Sequence, residues 1–397
     1  MKLLIYSIMK SRKIKLLRIT TIPASLNVLL KGQLLYVQSH GFEVLTVSSA
    51  GPEIDELVQR ENVTHYTIPF TRKVTPLHDL RCLWRLIRYI RREKIDIVHT
   101  HTPKAGLLGM LAAWLCMVPH RFHTVAGMPL TESVGVKKLI LKWTERITYW
   151  SATKVYPNSE KLKLYIEQNL FRGNNKLSVI GYGSSNGIDT SYFKKSRDLE
   201  LSGKNILKEY GVNGDCMILT YIGRIVADKG INELVEAFQK LNKKKSEKLR
   251  LFLIGDFEDD LNPVNGHTRQ TIENDANVFA IGFKHDIRPY LAITDVFVFP
   301  SYREGFPNVV LQACAMEVAC IASDINGCNE IITHLKTGLL IPSKNVTELY
   351  EAMNLLVDNH SLRGEMAKKS RKRVVEKFAQ NFLWEEIVKE YKKQLNV

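Results

Sequence analysis

Apolar runs and amphipathic segments alternate along most of the chain. Runs such as Val296–Phe299 are continuously apolar, which is typical of strands that are buried on both faces of a parallel sheet. The segments between them carry apolar residues three and four positions apart, as in Leu77–Lys94, and this spacing indicates helices. The alternation predicts an α/β protein in which helices connect the strands of parallel sheets.

The pattern occurs twice along the chain, which predicts two doubly wound domains whose ligands bind at the carboxyl ends of the strands. The first set of predicted strands comprises Ile14–Thr20, Glu43–Val47, Thr64–Ile68, Ile97–His99, Arg121–Thr124 and Lys154–Tyr156. The second set comprises Met217–Ile222, Arg250–Ile254, Val278–Ile281, Val296–Phe299, Cys320–Ala322 and Gly338–Ile341. Helices are predicted at Leu30–His40, Ile54–Asn62, Leu77–Lys94, Ala105–Val118, Gly135–Ser151, Ser159–Leu170, Gly230–Asn242, Asp286–Ala292, Val309–Met316, Val346–Asp358 and Leu362–Phe378.

A Gly-rich polar segment, Gly181–Gly187, separates the two sets. Segments of this composition separate domains and permit hinge motion. The expected organisation is a first domain at residues 1–190, a second at residues 191–380 and a final helix at residues 381–397. From the pattern alone, this last helix could pack on either domain.

Length and composition agree with two soluble α/β domains. The chain has 397 residues, of which 45% are hydrophobic and 24% are charged, and this length is too great for one ordinary core. No run approaches the ~20 apolar residues of a membrane-spanning helix. Residues 1–12 lack the features of a signal peptide and are interpreted as an appendage. The six cysteines form no C-x-x-C pair, which favours reduced thiols in a cytoplasmic protein.

The net charge of +15 is concentrated in the first half of the chain. Residues 1–190 hold 27 Lys and Arg against 13 Asp and Glu, whereas residues 191–397 hold 29 against 28. This asymmetry favours a partner that carries phosphates or an anionic membrane surface. Nucleic acid would fit the charge equally well, but no zinc knuckle, RNA-recognition signature or helix-turn-helix supports it, so no nucleic-acid partner is expected.

The most informative motif follows the predicted strand Val296–Phe299. Residues 300–312 read PSYREGFPNVVLQ and lead into a predicted helix. Free backbone N–H groups and the positive end of a helix dipole meet in such a loop, which makes it a site for an anion such as a diphosphate. Glu304, at the tip of the loop, can accept hydrogen bonds from sugar hydroxyls.

A second motif, YIGRIVADKG at residues 221–230, follows the first predicted strand of the second domain. Arg224 can form bidentate hydrogen bonds to a phosphate, and Lys229 adds a point charge. Taken alone, both could equally be solvated loop residues. The Glu304 loop some eighty residues later makes a shared site for a sugar diphosphate the better interpretation.

These motifs closely resemble the signature of the retaining, nucleotide-sugar-dependent glycosyltransferases of family 4, and the resemblance covers nearly the whole chain. It implies the GT-B fold: two doubly wound Rossmann-like domains that face each other across a cleft, with the C-terminal helix crossing back to the N-terminal domain. Family members carry a second Glu after seven intervening residues. Here Glu304 matches the first position and Gln312 occupies the second, where its amide oxygen can still accept a hydrogen bond from a ribose hydroxyl.

The resemblance also implies roles for individual residues. Those implied to be catalytic are His123, Glu304, Arg224 and Lys229. Those implied to bind the donor are Lys31, Gly32, Gly223, Arg224, Lys229, Gly255, Phe283, Glu304, Gly305, Phe306, Asn308 and Gln312. Phe283 could equally be a core residue, and the loop at Lys31 and Gly32 lacks the Gly-Gly pair that is usual in the family.

The first domain is expected to supply the acceptor site. Residues 99–106 read HTHTPKAG, and two His with a Lys at a helix start can bind phosphate; no third ligand nearby supports a metal. His101 and Lys104 are therefore predicted to bind the acceptor, together with Arg121. In the family, a His at the position of His123 faces the donor sugar, although a single His in such a run is more often buried and structural.

The HTHTPKAGLLG and GSSNGID runs resemble bacterial enzymes that build capsule, O-antigen or exopolysaccharide. The resemblance implies transfer of a hexose or N-acetylhexosamine from a nucleotide sugar to an undecaprenyl-diphosphate-linked saccharide. The donor is expected to be a UDP-sugar, and no protein-bound metal or other cofactor is expected. The expected location is peripheral, at the inner face of the cell membrane. Two alternatives remain open at this point: a GT-B nucleotide-sugar epimerase, and a non-catalytic binder of anionic membranes or nucleic acids.

Two basic amphipathic helices account for the charge of the first half. The helix at residues 81–92 places Arg opposite Leu83, Leu86, Ile87 and Ile90. The helix at residues 136–150 interleaves Lys137, Lys138, Lys142 and Arg146 with Leu139, Ile140, Trp143 and Trp150. Such helices can lie on an anionic membrane. The solvated face of a core helix is the commoner case, but the charge surplus of the domain favours the membrane.

Overall fold

The protein forms two compact units, made of residues 1–186 with 381–397 and of residues 187–380. The computed structural model describes residues 13–128, 130, 135–171, 175–212, 216–246, 248–260 and 262–396, with the side chain of Lys137 also left aside. The predicted appendage at residues 1–12 and the side chain of Lys137 therefore lie outside the described part. The division falls after Asn186, whereas the sequence pattern placed it after residue 190.

The first unit is built on a six-stranded parallel sheet with the order β3-β2-β1-β4-β5-β6. In the usual α/β arrangement this order comes from two mononucleotide-binding halves that meet between β1 and β4. Register is fixed by pairs such as Arg18 with His99 across β1 and β4. The strands are β1 Ile14–Ile19, β2 Phe42–Ser48, β3 Thr64–Thr67, β4 Ile97–Thr100, β5 His120–Val125 and β6 Lys154–Pro157.

Helices cover both faces of this sheet, because the strands carry apolar side chains on both sides. One hydrophobic core joins the sheet to helices α4 to α7, and the other joins it to α1, α2, α3 and the C-terminal helix α16. The bounds are α1 Pro23–Leu29, α2 Gln33–Ser39, α3 Ile54–Glu61, α4 Pro76–Glu93, α5 Pro103–Leu115, α6 Gly135–Ser151, α7 Glu160–Asn169 and α16 Gln380–Leu395.

The C-terminal helix α16 packs on the first unit, as the family resemblance implied. Its buried side chains Leu383, Ile387 and Tyr391 recur every four residues and belong to the core formed with β1. This spacing places them on one face of the helix. The helix α16 therefore shares one side of the sheet with α1 to α3 and completes the hydrophobic core there.

The second unit repeats the same topology around one core, with the strand order β12-β11-β10-β7-β8-β9. All its strand pairs are parallel. The strands are β7 Met217–Ile222, β8 Leu249–Ile254, β9 Val278–Ala280, β10 Val296–Phe299, β11 Ala319–Ser323 and β12 Leu339–Ile341. The helices are α8 Arg197–Glu209, α9 Ile231–Lys244, α10 Gly266–Asn274, α11 Arg288–Ala292, α12 Asn308–Ala315, α13 Cys328–Ile331, α14 Val346–Asp358 and α15 His360–Phe378.

Several helices begin at residues whose chemistry satisfies the free N–H groups of the first turn. The side chains of Ser159, Ser196, Asn265 and Asn345 each accept a hydrogen bond from the backbone N–H three residues later. Such a cap contributes about 1 kcal/mol to helix stability. Pro at the first helical position, as in Pro103 of α5, acts in a second way, because its fixed φ suits the helix and its missing N–H would be unpaired there.

Candidate active site

The two motifs of the second unit lie where its strand order reverses. Gly223 and Arg224 follow β7, and residues 300–304 follow β10, its neighbour in the sheet. Parallel α/β sheets bind ligands at this point, outside the carboxyl ends of the strands. The topology therefore brings together two segments that are about eighty residues apart in the chain.

Two neighbouring ion pairs join these loops. Lys229 Nζ lies 2.6 Å from Glu304 Oε1, and both side chains are about 15% exposed. The residues directly before these two, Asp228 and Arg303, form the second ion pair. Arg303 Nη2 lies 2.9 Å from Asp228 Oδ2. The backbone N–H of Tyr302 also donates to the Asp228 carbonyl at 2.9 Å. The loop after β10 is thus held in register against the loop after β7.

A third link holds the same loop from the side of α9. The Tyr302 hydroxyl donates to Glu233 Oε1 at 2.6 Å, while burial and this carboxylate raise the pKa of Tyr302. The Lys344 ammonium lies over the Tyr302 ring, 4.7 Å from its centroid. Tyr302 is therefore neutral, and its hydroxyl links the Glu304 loop to helix α9, which follows Lys229.

Arg224 is the more exposed of the two predicted diphosphate ligands. Its guanidinium is 43% exposed, and Nη1 lies 2.7 Å from Glu258 Oε2. The hydrogen bond to Glu258 is the main cause that raises the pKa of Arg224. An exposed pair of this kind contributes little stability, so the guanidinium can exchange Glu258 for a phosphate at small cost. The Tyr221 hydroxyl meanwhile fixes the backbone by donating to the Arg224 carbonyl at 2.9 Å.

Glycines allow the strand ends to approach closely. A Cβ on Gly255 would lie 2.0 Å from the Gly223 carbonyl oxygen, and Gly255 has a φ of +142°. Its N–H donates to the Gly282 carbonyl at 3.0 Å. In the structure, this close approach brings the backbones of two strand ends together. Contacts of Gly223 and Gly255 with a donor remain predictions.

Most of the other predicted donor residues of this unit belong to the Glu304 loop or to the helix α12 that follows it. Gly305 accepts a hydrogen bond from Asn326 Nδ2 at 3.1 Å, and the Phe306 ring packs against Phe378 with centroids 5.5 Å apart. Asn308 is the first residue of α12, and Gln312 lies one turn further along it. Phe283 is 61% exposed, so the alternative that it is a core residue is wrong.

His123 of the first unit is buried, as a single His in such a run more often is. The side chain is 2% exposed, and its Nδ1 lies 2.8 Å from Thr100 Oγ1. A Cβ on Gly106 would lie only 2.5 Å from the imidazole Cε1, so α5 packs directly on the ring. Burial lowers the pKa of His123 to about 4. The imidazole is therefore neutral at pH 7, and its predicted catalytic role is untested.

The three predicted acceptor residues do not form one site. Lys104 Nζ pairs with Asp79 Oδ1 at 2.7 Å and donates to Thr71 Oγ1 at 2.9 Å, so it joins α5 to α4 and to the segment before α4. Arg121 lies near the amino end of β5, where it donates to the Ser151 and Val118 carbonyls at 2.7 and 2.6 Å. Only His101 lies at the carboxyl end of a strand, directly after β4.

Lys31 and Gly32 precede α2, where Gly32 has a φ of +79°. A Cβ on Gly32 would lie 2.7 Å from the Trp384 ring of α16. The Gly32 N–H donates to Glu61 Oε1 at 2.7 Å, and the Lys31 carbonyl accepts from Asn186 Nδ2 at 3.0 Å. The structure thus gives both residues packing roles, whereas their predicted donor contacts are untested.

Comparison with known proteins decides the family. The model described as "Glycosyl transferase 4-like domain" matches residues 33–183, and that of "Glycosyl transferases group 1" matches residues 203–373. A capsular polysaccharide biosynthesis glycosyltransferase, CapM of Staphylococcus aureus, is 33% identical over 384 residues, which are 96% of this chain and 97% of CapM. The chain belongs to family 4 of the glycosyltransferases. The resemblance inferred from the two motifs is thereby confirmed.

Two further comparisons concern a curated relative and a solved structure. The UDP-Gal:alpha-D-GlcNAc-diphosphoundecaprenol alpha-1,3-galactosyltransferase of Escherichia coli is 29% identical over 339 residues, 84% of each chain. The crystal structure of Anabaena Alr3699/HepE in complex with UDP superposes with a TM-score of 0.79 at 17% identity, covering 96% of this chain and all of that one. The second comparison confirms the predicted GT-B fold.

The sequence analysis missed two residues that join the loops of the candidate site. Asp228 and Arg303 stand directly beside Lys229 and Glu304 in the two motifs, with opposite charges in matching positions. That adjacency was the available signal for a second ion pair. Among the described residues, no group of three or more His, Cys, Asp or Glu could hold a metal ion, and no helix of the described part is long and apolar enough to cross a membrane.

Proposed function

We propose that this glycosyltransferase transfers a hexose or an N-acetylhexosamine, with retention of anomeric configuration, from a UDP-sugar to a saccharide linked to undecaprenyl diphosphate. The reaction would serve the synthesis of a capsule or a related surface polysaccharide, at the cytoplasmic face of the membrane. The observation that carries the proposal is the partly buried Lys229–Glu304 pair at the carboxyl ends of β7 and β10. It offers a cation for a diphosphate and an acceptor for sugar hydroxyls within one hydrogen-bond length.

The donor half of the proposal rests on charge placement. Lys229 has three ammonium donors and uses one on Glu304, so the others can reach phosphate oxygens. Arg224 can leave Glu258 to form bidentate bonds, and the first N–H groups of α12 add the positive end of a helix dipole. Together these groups would stabilise the negative charge that develops on the departing diphosphate.

The proposed chemical step balances without a further reactant. The bond between the anomeric carbon and the diphosphate oxygen breaks, and its electron pair stays on that oxygen. The acceptor hydroxyl forms the new bond on the same face of the sugar, and its proton passes to the leaving phosphate oxygen. Glu304 orients the sugar through its hydroxyls. The scheme needs no protein-bound metal, and unchanged activity in the presence of EDTA would support that part.

The acceptor half draws on the relatives and on charge. The Escherichia coli relative acts on a diphosphoundecaprenol-linked sugar, and the excess positive charge of the first half would favour such a lipid diphosphate. The donor of that relative is UDP-linked, which supports a UDP-sugar here. His101 remains the candidate of the first unit for an acceptor contact, since it lies at the carboxyl end of β4.

The proposed membrane surface is the exposed aromatic and basic side of helices α4 and α6. Trp84 of α4 and Trp143 and Trp150 of α6 are each more than half exposed. Arg88 lies over the Trp84 ring at 4.7 Å and Arg146 over the Trp143 ring at 5.8 Å. Trp and Arg in such pairs suit the headgroup region of an anionic bilayer.

The test begins with the donor. Thermal shift against UDP, GDP and their sugar derivatives should show stabilisation by one nucleotide sugar, weakened in Glu304→Ala but retained for the bare diphosphate. Transfer to a short prenyl-diphosphate-linked sugar, followed by NMR of the anomeric linkage, should then give an α product from an α-linked donor. A β product would reject retention, and release of a free sugar from the donor without an acceptor would favour an epimerase.

A further inference from the structure

We propose that the first unit binds a small monovalent anion, of the size of chloride, in a cavity between its sheet and the C-terminal helix α16. Arg18 and His101 would hold the anion. The inference does not depend on the proposed donor or membrane contacts. His101 is also the candidate for an acceptor contact, but the tests below need no acceptor. It rests on the chemistry of the cavity walls, all of which belong to this unit.

The cavity has a volume of ≈ 20 Å³. A cavity needs at least about 10–15 Å³ by this measure to hold one water molecule, so there is room inside for a single small species. No carboxylate belongs to the described residues that form its wall, which are Arg18, Gln33, His99, His101, Thr124, Tyr156, Pro157, Asn158, Ile180, Ser184, Ser185, Leu383 and Ile387.

Arg18 places a buried positive charge at the wall of this cavity. It is 1% exposed near the carboxyl end of β1, and its partners are neutral: Gln33 Oε1 at 2.5 Å, the Tyr391 hydroxyl, and His99 Nδ1 at 3.5 Å. In the described part of the chain no carboxylate pairs with it, and its Nε has no hydrogen-bond partner. A buried charge without a counter-charge is costly, and an anion would offset that cost.

His101 supplies the second group. It is 4% exposed and stacks on His99 with ring centroids 4.5 Å apart, yet neither of its ring nitrogens has a hydrogen-bond partner. A neutral imidazole carries one N–H donor, and a buried donor that is left unpaired destabilises the fold. An anion in the cavity would accept that hydrogen bond.

A water molecule is the competing occupant. The buried Asn158 Oδ1 also lacks a partner, and water could donate to it whereas an anion could not. Water would satisfy hydrogen bonds but would leave the charge of Arg18 uncompensated. The charge therefore favours the anion, and the two occupants differ in a measurable way.

The site would stabilise the attachment of α16. Arg18 touches Tyr391 of α16 and Gln33 of α2, and Gln33 Nε2 donates to Asn186 Oδ1 at 3.0 Å and to the Ser185 carbonyl at 3.1 Å. An anion that binds only this assembled arrangement adds its binding free energy to the stability of the fold.

The direct test is anomalous diffraction from wild-type crystals soaked in sodium bromide. A bromide peak within hydrogen-bonding distance of Arg18 and His101 is the expected result. Density without anomalous signal at this position would identify water and overturn the proposal.

The solution test compares melting temperatures in sodium chloride and in sodium gluconate at equal ionic strength, since gluconate is too large for the cavity. Chloride should raise the Tm of the wild type by about 2–4 °C. His101→Leu should abolish the rise, and His65→Gln, which changes a half-buried His that contacts Thr46 and Ser48 elsewhere in the unit, should keep it. Equal Tm values in both salts for the wild type would reject the proposal even if a bromide peak were seen, because the ion would then be adventitious.

Discussion

Glu304 and Lys229 form an ion pair, and each has hydrogen-bonding capacity left for a ligand. Their 2.6 Å contact uses one carboxylate oxygen and one ammonium proton. Because both side chains are largely shielded from water, the pair is stronger than a surface ion pair. At the scale of single residues the proposed reaction therefore depends on a prearranged pair rather than on two independent side chains.

Glu304→Gln keeps the shape of the side chain but removes its charge. We expect kcat to fall by about 10²–10³-fold, the range seen when one stabilising group of a transition state is lost. The steady-state rate of sugar transfer measures this loss. Glu258→Gln serves as the matched control, because it removes only the exposed partner of Arg224 and should change the rate less than about threefold. Equal losses in both variants would contradict the assignment of Glu304.

The neighbouring pair of Asp228 and Arg303 should act through position. Asp228→Asn is expected to lower kcat while leaving Tm within about 1–2 °C, since a half-exposed ion pair contributes at most about 1 kcal/mol. A double-mutant cycle with Arg303→Gln should show that the second change costs little once the first is made. Additive losses in kcat would show that the two residues act separately.

His123 should make the protein less stable in mild acid. Its pKa of about 4 in the fold lies below the usual value of 6.5, so the unfolded chain binds its proton first as the pH falls. The stabilisation that comes from the neutral imidazole is fully present above about pH 6.5. It is lost progressively as the pH falls from about 6.5 to about 4. From this residue alone the free energy of unfolding should drop by ~2 kcal/mol between pH 7.5 and 5.

Urea denaturation at the two pH values measures this change. Burial also lowers the pKa of His99 and of His101, so the total loss should exceed that of His123. A His123→Gln variant should show a smaller drop than the wild type. A wild type that is equally stable at pH 5 and 7.5 would contradict the buried neutral imidazoles.

At the scale of elements, the close approach of β7 and β8 at their carboxyl ends depends on glycine. Gly255→Ala would place a Cβ 2.0 Å from the Gly223 carbonyl at a φ of +142°. We expect a loss of about 3 kcal/mol or more in the free energy of unfolding. Gly266→Ala is the control, because nothing lies within 4 Å of its Cβ at the start of α10. A Tm for Gly255→Ala as high as for Gly266→Ala would refute the argument.

The strand pattern could be predicted because buried parallel strands are continuous apolar runs, and each predicted strand lies within two residues of an observed one. Helices were harder. The predicted helix Leu30–His40 is wrong in its extent: α1 ends at Leu29, and Gly32, at a φ of +79° under Trp384, starts α2. A contact with a residue 352 positions later leaves no local signal in the sequence.

The helix α8 was missed for a different reason. Its sequence is polar enough to be taken as the continuation of the interdomain segment, and Gly203 lies within it. That glycine allows α8 to pack against α11, since a Cβ there would lie 2.6 Å from the Pro289 carbonyl. In the candidate site, likewise, Glu304 and Lys229 could be singled out from the motifs, but the packing roles of Lys104 and Arg121 depended on partners that only the fold brings near.

At the scale of the whole molecule, both the excess positive charge of the first half and the exposed tryptophans could contribute to the proposed membrane binding. Trp143 and Trp150 of α6 are more than half exposed, and Trp150 lies against Trp114 of α5 with ring centroids 4.9 Å apart. Burying one such indole in a bilayer interface yields a few kcal/mol at most. Charge alone would give binding that vanishes with salt, whereas inserted tryptophans would retain part of it.

Co-sedimentation with phosphatidylglycerol-containing vesicles separates the two contributions. The wild type should bind these vesicles and not neutral ones, and Trp143→Ala should weaken binding by about tenfold, since each 1.4 kcal/mol corresponds to that factor. Val375→Ala in α15 removes an exposed apolar side chain of the second unit and should bind like the wild type. If Trp143→Ala also binds like the wild type while raised salt releases both, the surface is purely electrostatic. In that case the tryptophans would be free to contact the lipid chain of the acceptor or a partner protein instead of the bilayer.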